Sequence, residues 1–204
     1  MKRITTYFDY KSPYAYLAQA DTLALAEREG VELDLLPYTL DIPAYLGRAE
    51  VNERKEVVRS ERNAHQWRRV IYSYMDCRRE ANRRGIVLRG TRKIFDSTIA
   101  HIAYLFARGH DNIFVFHMQV YEKFWRRELD IEDPLVMTAA LEAAGIPGDG
   151  FRDYLDRDGP RDLQRMQKAA EDEGVFGVPS YFIEGQHYWG YERLPRVIEH
   201  LDSD

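Results

Sequence analysis

The sequence predicts an α/β fold in which a small sheet, built from both ends of the chain, carries a large all-helical insertion. Three observations predict it. Residues 1–40 read as strand, helix, strand, and residues 175–204 read as strand, strand, helix. Residues 41–174, between them, carry helical periodicity. Neither end alone can bury a core, so the two must pair into one sheet.

Arg3 to Tyr10 alternates around Ile4, Thr6 and Phe8, a strand pattern rich in β-favouring residues. Ser12-Pro13 then reads as a helix start, with serine at the cap and proline in the first turn. Tyr16, Leu17, Ala20, Leu23 and Ala24 recur at helical spacing, and Gly30 supplies the stop. Val31 to Tyr38 is a second strand, with Pro37 near its end, where a missing N–H is tolerable. The unit has the length of a right-handed parallel crossover.

His65 to Arg84 reads as a long helix with Trp67, Val70, Ile71, Tyr74, Met75 and Ala81 on one face. Asp96-Ser97 starts another through Ile99, Ala103 and Phe106, and Ile113, Phe116, Val120 and Phe124 mark a further one. Pro134 opens a helix ending at Gly145, followed by shorter stretches around Phe151–Leu155 and Leu163–Ala170. Gly174 to Pro179 is turn-rich. Ser180 to Ile183 and His187 to Trp189 are strands joined by Glu184-Gly185-Gln186, and Leu194, Val197, Ile198 and Leu201 mark a final helix.

Composition narrows the chemistry. The 204 residues include one cysteine, Cys77, so neither an intrachain disulfide nor a dithiol redox cycle is available. The net charge of −5, with acids interleaved among the bases between Arg54 and Lys93, reads as solvated helix faces rather than a nucleic-acid patch. The N-terminus lacks an apolar run and no stretch has membrane-spanning length, so a cytoplasmic protein without membrane contact is the expectation. The six histidines are scattered, with no zinc-ligand spacing. Fourteen tyrosines suit an aromatic-lined pocket, although most serve as core.

Four segments are candidates for a site. Ser12 leaves a strand and enters a helix, where the first-turn N–H groups and the macrodipole favour an anion; an ordinary cap is the plainer reading. Gly177-Val178-Pro179 precedes a strand, where a cis proline would leave the Val178 backbone free to pair with a peptide-like ligand; a loop proline is the plainer reading. In Trp189-Gly190-Tyr191-Glu192, Glu192 complements a helix dipole or grips an amino group. Arg69, in a charged helical run, offers a fork for a carboxylate.

Taken together, the SPYAYLA start, GVFGVPSYF near the end and the following YWGYERL resemble the 2-hydroxychromene-2-carboxylate isomerases, relatives of kappa-class glutathione transferases in the DsbA-like thioredoxin superfamily. The RRVIYSYMD stretch matches less closely. The resemblance implies a thioredoxin-like sheet from residues 1–40 and 175–204, a helical insertion over 41–174, and glutathione as cofactor. It places Ser12 where disulfide oxidoreductases carry the first cysteine, its hydroxyl holding glutathione's sulfur as thiolate. Val178 and a cis Pro179 would pair with the cysteinyl backbone, Glu192 would hold the γ-glutamyl amine, and Arg69 would meet a carboxylate. Tyr191 and Glu192 depart from the family, which usually has a small or amide residue and then Asp. Asn52 stands where a family asparagine would fall.

The function implied is a glutathione-dependent isomerase that adds the thiolate reversibly to an unsaturated, aromatic-derived substrate, with Tyr72, Phe176 and Trp189 as candidate pocket walls. A kappa-like transferase would use the same site but release an adduct, and a non-catalytic peptide-binding module would use only the Val178 edge. The resemblance also implies a homodimer. A serine nucleophile would need a base; His187 is the histidine nearest the proline turn.

Overall fold

The computed structural model describes residues 1–54 and 56–203. Strand β1 (Lys2–Phe8) is shorter than its sequence pattern. Asp9 turns the chain out of the sheet: its carbonyl accepts from Ser12 N–H at 3.0 Å and its Oδ1 from Lys11 N–H at 3.1 Å. Helix α1 (Pro13–Leu23) follows at once. Strand β2 (Val31–Pro37) runs parallel to β1, with Pro37 opposite Phe8 at the end of the ladder.

The insertion is helical except at its start. After the short helix α2 (Ile42–Leu46), strands β3 (Ala49–Val51) and β4 (Val57–Ser60) form an antiparallel hairpin that the all-helical expectation lacked. The strands are three and four residues long: β3 is too short for its alternation to be distinctive, and β4 is exposed throughout. Asn52 belongs to their turn: its Oδ1 accepts from the N–H groups of Arg54 and Glu56 at 2.9 and 3.0 Å.

Helix α3 (Ala64–Arg83) opens on a capping box formed by Asn63 and Gln66. Its buried stripe is Val70, Cys77 and Ala81, whereas Ile71, Tyr72 and Met75 lie at least half exposed. The apolar residues occupy more than one face, and packing selects the stripe one residue round from Ile71 and Met75. Helices α4 (Thr98–Ala107), α5 (Ile113–Trp125) and α6 (Pro134–Ala143) match their sequence patterns. Helix α7 (Phe151–Asp156) precedes α8 (Asp158–Glu173), which begins before the Leu163–Ala170 pattern does. Gly159 and Pro160 sit in the first turn of α8, where proline's missing N–H would have had no helical partner.

Strands β5 (Ser180–Ile183) and β6 (Gln186–Trp189) form a hairpin around Glu184 and Gly185, and α9 (Leu194–Asp202) closes the chain. The sheet order is β2-β1-β5-β6, with β5 antiparallel to β1, so the two ends of the chain do share one sheet. Ile4, Leu25, Tyr181, Ile183, Leu194 and Val197 form a small core under α9. The larger core joins Phe8, Tyr10 and Leu35 to the helices of the insertion. No helix of the described residues is long and apolar enough to cross a membrane.

The larger core holds a buried polar thread. Gln19 Nε2 donates to Ala15 O at 3.0 Å, so its Oε1 accepts from His117 Nε2–H at 2.8 Å. His117 Nδ1 is then the acceptor for the Tyr10 hydroxyl at 3.1 Å. This pattern needs a neutral imidazole. Burial, reinforced by nearby His101, pushes the His117 pKa down from 6.5 to about 3. A histidine buried neutral stabilises the fold above its unfolded pKa and loses that contribution as pH falls. Thermal stability is therefore expected to decline from pH 6.5 toward 3, and His117→Gln to flatten that limb in a melting series.

Candidate functional site

Ser12 caps α1 with extended backbone geometry, and its Oγ accepts from Ala15 N–H at 3.2 Å. Among the described residues nothing accepts the hydroxyl's own proton. The side chain thus has a donor left to offer, at the positive end of a helix. Ser12 is only 4% exposed, and what it can offer that proton to is the adjoining cavity.

That cavity measures about 500 Å3, within the usual range for small-ligand sites. Ser12, Arg69 and Val178 line it together, although they come from α1, α3 and the turn before β5. Phe176 and Trp189 form part of the wall and face one another at 4.8 Å. Tyr72, the third aromatic candidate, points to solvent instead. Tyr14, Tyr45, Tyr74 and Phe95 complete the aromatic lining.

Among the described residues, the lining contains three cations, Lys11, Arg62 and Arg69, and no carboxylate. Arg62 is committed to the carbonyls of Leu46 and Gly47 at 3.0 and 3.2 Å. Arg69 is exposed and pairs with no acid among the described residues. Such a lining favours an anionic ligand with apolar surface.

The proline turn closes one side. The Val178–Pro179 bond is cis, and Pro179 O accepts from Gly190 N–H at 2.9 Å. Val178 makes no backbone hydrogen bond among the described residues. Ser180 Oγ donates to Gly177 O at 2.7 Å, so His187 Nε2, at 3.0 Å, donates to Ser180. His187 is thereby engaged with Ser180 rather than with Ser12. A Cβ on Gly177 would stand 2.5 Å from Trp189 Nε1, so only glycine lets this ring close over the turn.

Tyr191 and Glu192 are not part of this lining. Tyr191 stacks on Tyr14 at 5.5 Å, and beyond that stack it lines a second cavity with Glu192, Asp21 and Arg84. Glu192 is exposed and its carboxylate folds against Gly190. Asn52, in the hairpin turn, does not line the cavity either.

Sequence reasoning missed a buried charge cluster directly behind Ser12. Asp9 is fully buried, with Lys11 Nζ 3.1 Å from its Oδ2. Ser97 Oγ donates to Asp9 Oδ1 at 2.5 Å and Leu40 N–H to Oδ2 at 2.8 Å. His101 Nε2 lies 3.4 Å from Oδ1 as an electrostatic contact without hydrogen-bond alignment. Burial by itself would raise the Asp9 pKa, but Lys11, His101 and Ser97 overcome it and hold the carboxyl well below its usual range. The available signal was a pair of opposite charges flanking Tyr10 in an otherwise apolar segment.

Cys77 is fully buried, and burial pushes its thiol up to about 12, so it stays protonated. With no second cysteine, the site has no dithiol chemistry of its own.

A family model described as DSBA-like thioredoxin domain matches residues 3–202. The chain belongs to this family. This DSBA-like protein is 28% identical, over 98% of each chain, to the 2-hydroxychromene-2-carboxylate isomerase of Sphingobium xenophagum. Among solved structures it is similar to a 2-hydroxychromene-2-carboxylate isomerase, with a TM-score of 0.75, 20% identity, and 98% and 94% of the two chains covered. It is also similar to the cytosolic disulfide reductase DsbM from Pseudomonas aeruginosa solved with GSH, with a TM-score of 0.61, 15% identity and 98% of each chain covered. At such identities the structural likenesses establish the fold.

Proposed function

We propose that the protein is a glutathione-dependent isomerase acting on small, unsaturated, aromatic-derived substrates. One observation carries the reading: the Ser12 hydroxyl, with a proton to donate, and the unpaired Val178 backbone line the same cavity. A peptide-like thiol needs both features, one for its sulfur and one for its main chain. The cavity volume, the cationic lining and the aromatic walls suit a charged tripeptide with an aromatic partner beside it. Similarity to an isomerase over nearly the whole chain supports the reaction class.

When bound, glutathione supplies a thiolate that adds reversibly to the substrate. The chain's own groups favour and orient that sulfur. The Ser12 hydroxyl would donate a hydrogen bond to the anion, and the first-turn N–H groups of α1 add the positive end of the helix. Val178 pairs with the cysteinyl backbone, next to cis Pro179. Arg69 meets a carboxylate. Glu192, beside Tyr191 in the adjoining cavity, is the group assigned to the γ-glutamyl amine. Phe176 and Trp189 pack against the aromatic part of the substrate and keep water from it.

Calorimetric titration with glutathione, followed by product mass spectrometry with an unsaturated aromatic carbonyl, tests the reading. Binding is expected, with a product of unchanged mass. A product heavier by one glutathione would instead make the protein a transferase, and no heat at millimolar ligand would leave only a peptide-binding role.

A further inference from the structure

Lys11 precedes Ser12 in the chain and is nearly as buried, 7% exposed. It lines the Ser12 cavity and also an adjoining cavity of about 540 Å3, so it stands where the two meet. A buried ammonium is expensive to desolvate, and a buried ion pair adds little stability compared with apolar residues of similar size. Neutralising Asp9 is one account of Lys11. Yet Asp9 already accepts from Ser97 and from two backbone N–H groups, and a side chain that merely filled space there would carry no charge.

The orientation is the informative feature. Asp9 is fully buried and fixed by contacts from the β1 end, the Leu40 backbone and the start of α4. Lys11 Nζ sits against it at 3.1 Å and has no other acceptor among the described residues. The pair therefore has its carboxylate sealed in the core, while Lys11 is the member that lines the two cavities. The other charged and titratable groups around this end are His101 behind Asp9, Arg62, Arg69, Tyr14, Tyr45 and Tyr74 in the Ser12 cavity, and Asp41, Arg48, Glu50, Lys93, Asp96 and Glu132 around the second cavity. Lys93 is paired with Glu132 and Arg62 with two backbone carbonyls, and Lys11 is the cation next to Ser12 in the chain.

We propose that Lys11 is a second partner of the ligand's sulfur anion, held in place by Asp9. The ammonium, the Ser12 hydroxyl and the N-terminus of α1 then act on one atom, and Asp9 is a positioning residue that acts through Lys11. The inference rests on the glutathione reading and adds to it a residue that the Ser12 motif does not include.

The test compares wild type with Lys11→Met, Lys11→Arg and the double variant Asp9→Asn/Lys11→Met. The double variant removes the pair as a unit, so no orphaned charge remains to unfold the protein. Two quantities are read: the pKa of bound glutathione, from the ultraviolet absorbance of its thiolate, and the affinity for S-methylglutathione, which has no thiol to ionise. Lys11→Met and the double variant are expected to raise the bound thiol's pKa by about 1, the scale set by one nearby opposite charge. Lys11→Arg restores the wild-type value, and S-methylglutathione affinity is unchanged throughout. An unaltered thiol pKa in both methionine variants, with S-methylglutathione still bound, would overturn the role of Lys11 and leave the glutathione reading standing. So would a loss of S-methylglutathione affinity without a pKa change, which would make Lys11 a carboxylate partner. Failure of wild type to bind either ligand would remove the glutathione reading itself, and this inference with it.

Discussion

Ser12→Ala is expected to lower turnover by on the order of 10²-fold, the scale of losing one donor aimed at a developing or resting anion. The variant also loses a helix cap, which costs about 1 kcal/mol of stability and so confuses a simple reading. Ser12→Gly separates the two effects. Glycine at an N-cap costs only a few tenths of a kcal/mol, roughly, because it keeps the extended geometry seen at Ser12. Ser12→Gly should therefore melt close to wild type yet turn over as slowly as Ser12→Ala. Steady-state kinetics beside a thermal melt would check this. Wild-type turnover in Ser12→Gly would make the residue a cap and nothing more.

The second large effect concerns stability. Asp9→Asn removes a carboxylate that is fully buried and leaves Lys11 as an uncompensated charge in the same place. Breaking a buried pair from one side costs about 3–5 kcal/mol, a large share of a domain's net stability. Removing Lys11 as well should recover much of that loss, because the pair itself contributes little. Chemical denaturation of the single and double variants would measure the difference. The same carboxylate sets an acid limit. Its folded pKa lies below the ordinary 3.8, so its contribution is complete above that pH and is lost as pH falls below it. This window lies mostly below that of His117, whose contribution begins to fail from pH 6.5 downward. The stability of wild type should thus fall over two pH ranges, with His117→Gln affecting the upper one and Asp9→Asn/Lys11→Met the lower.

Local signals were legible in the sequence. Ser12-Pro13 announced a helix start because capping and a fixed proline φ act within one turn. The opening strand–helix–strand and closing strand–strand–helix were readable from periodicity, and their pairing followed from the need to bury a shared core. Gly177-Val178-Pro179 stood out for the same local reason. The hairpin at Ala49–Ser60 was silent because three residues of alternation in β3 are too few to stand out and β4 faces solvent throughout. Helix α3 was legible as a helix, but its buried face was not. Val70, Cys77 and Ala81 compete with Ile71 and Met75, and only the neighbours decide.

The site divides the same way. Ser12, Arg69 and Val178 meet in one cavity, whereas Tyr191 and Glu192 lie across the Tyr14–Tyr191 stack in the next. Their order in sequence fixes the element each belongs to, but the Tyr14–Tyr191 contact that divides the two cavities is tertiary. The Asp9 cluster shows the limit most clearly. Its members, Asp9, Lys11, Ser97 and His101, come from the end of β1 and from the start of α4, 88 residues away for the Ser97 bond. Ser97 reads as a helix cap, yet its hydroxyl caps nothing and serves Asp9 instead. That diversion depends on packing, and no periodicity records it.

A crystal structure of the protein with glutathione would decide between a thiolate site and a capped helix beside an unrelated cavity. The sulfur should rest within hydrogen-bonding reach of Ser12 Oγ, with the cysteinyl main chain paired to Val178. Glutathione bound with its sulfur away from Ser12, or absent from this cavity at saturating concentration, would contradict the assignment.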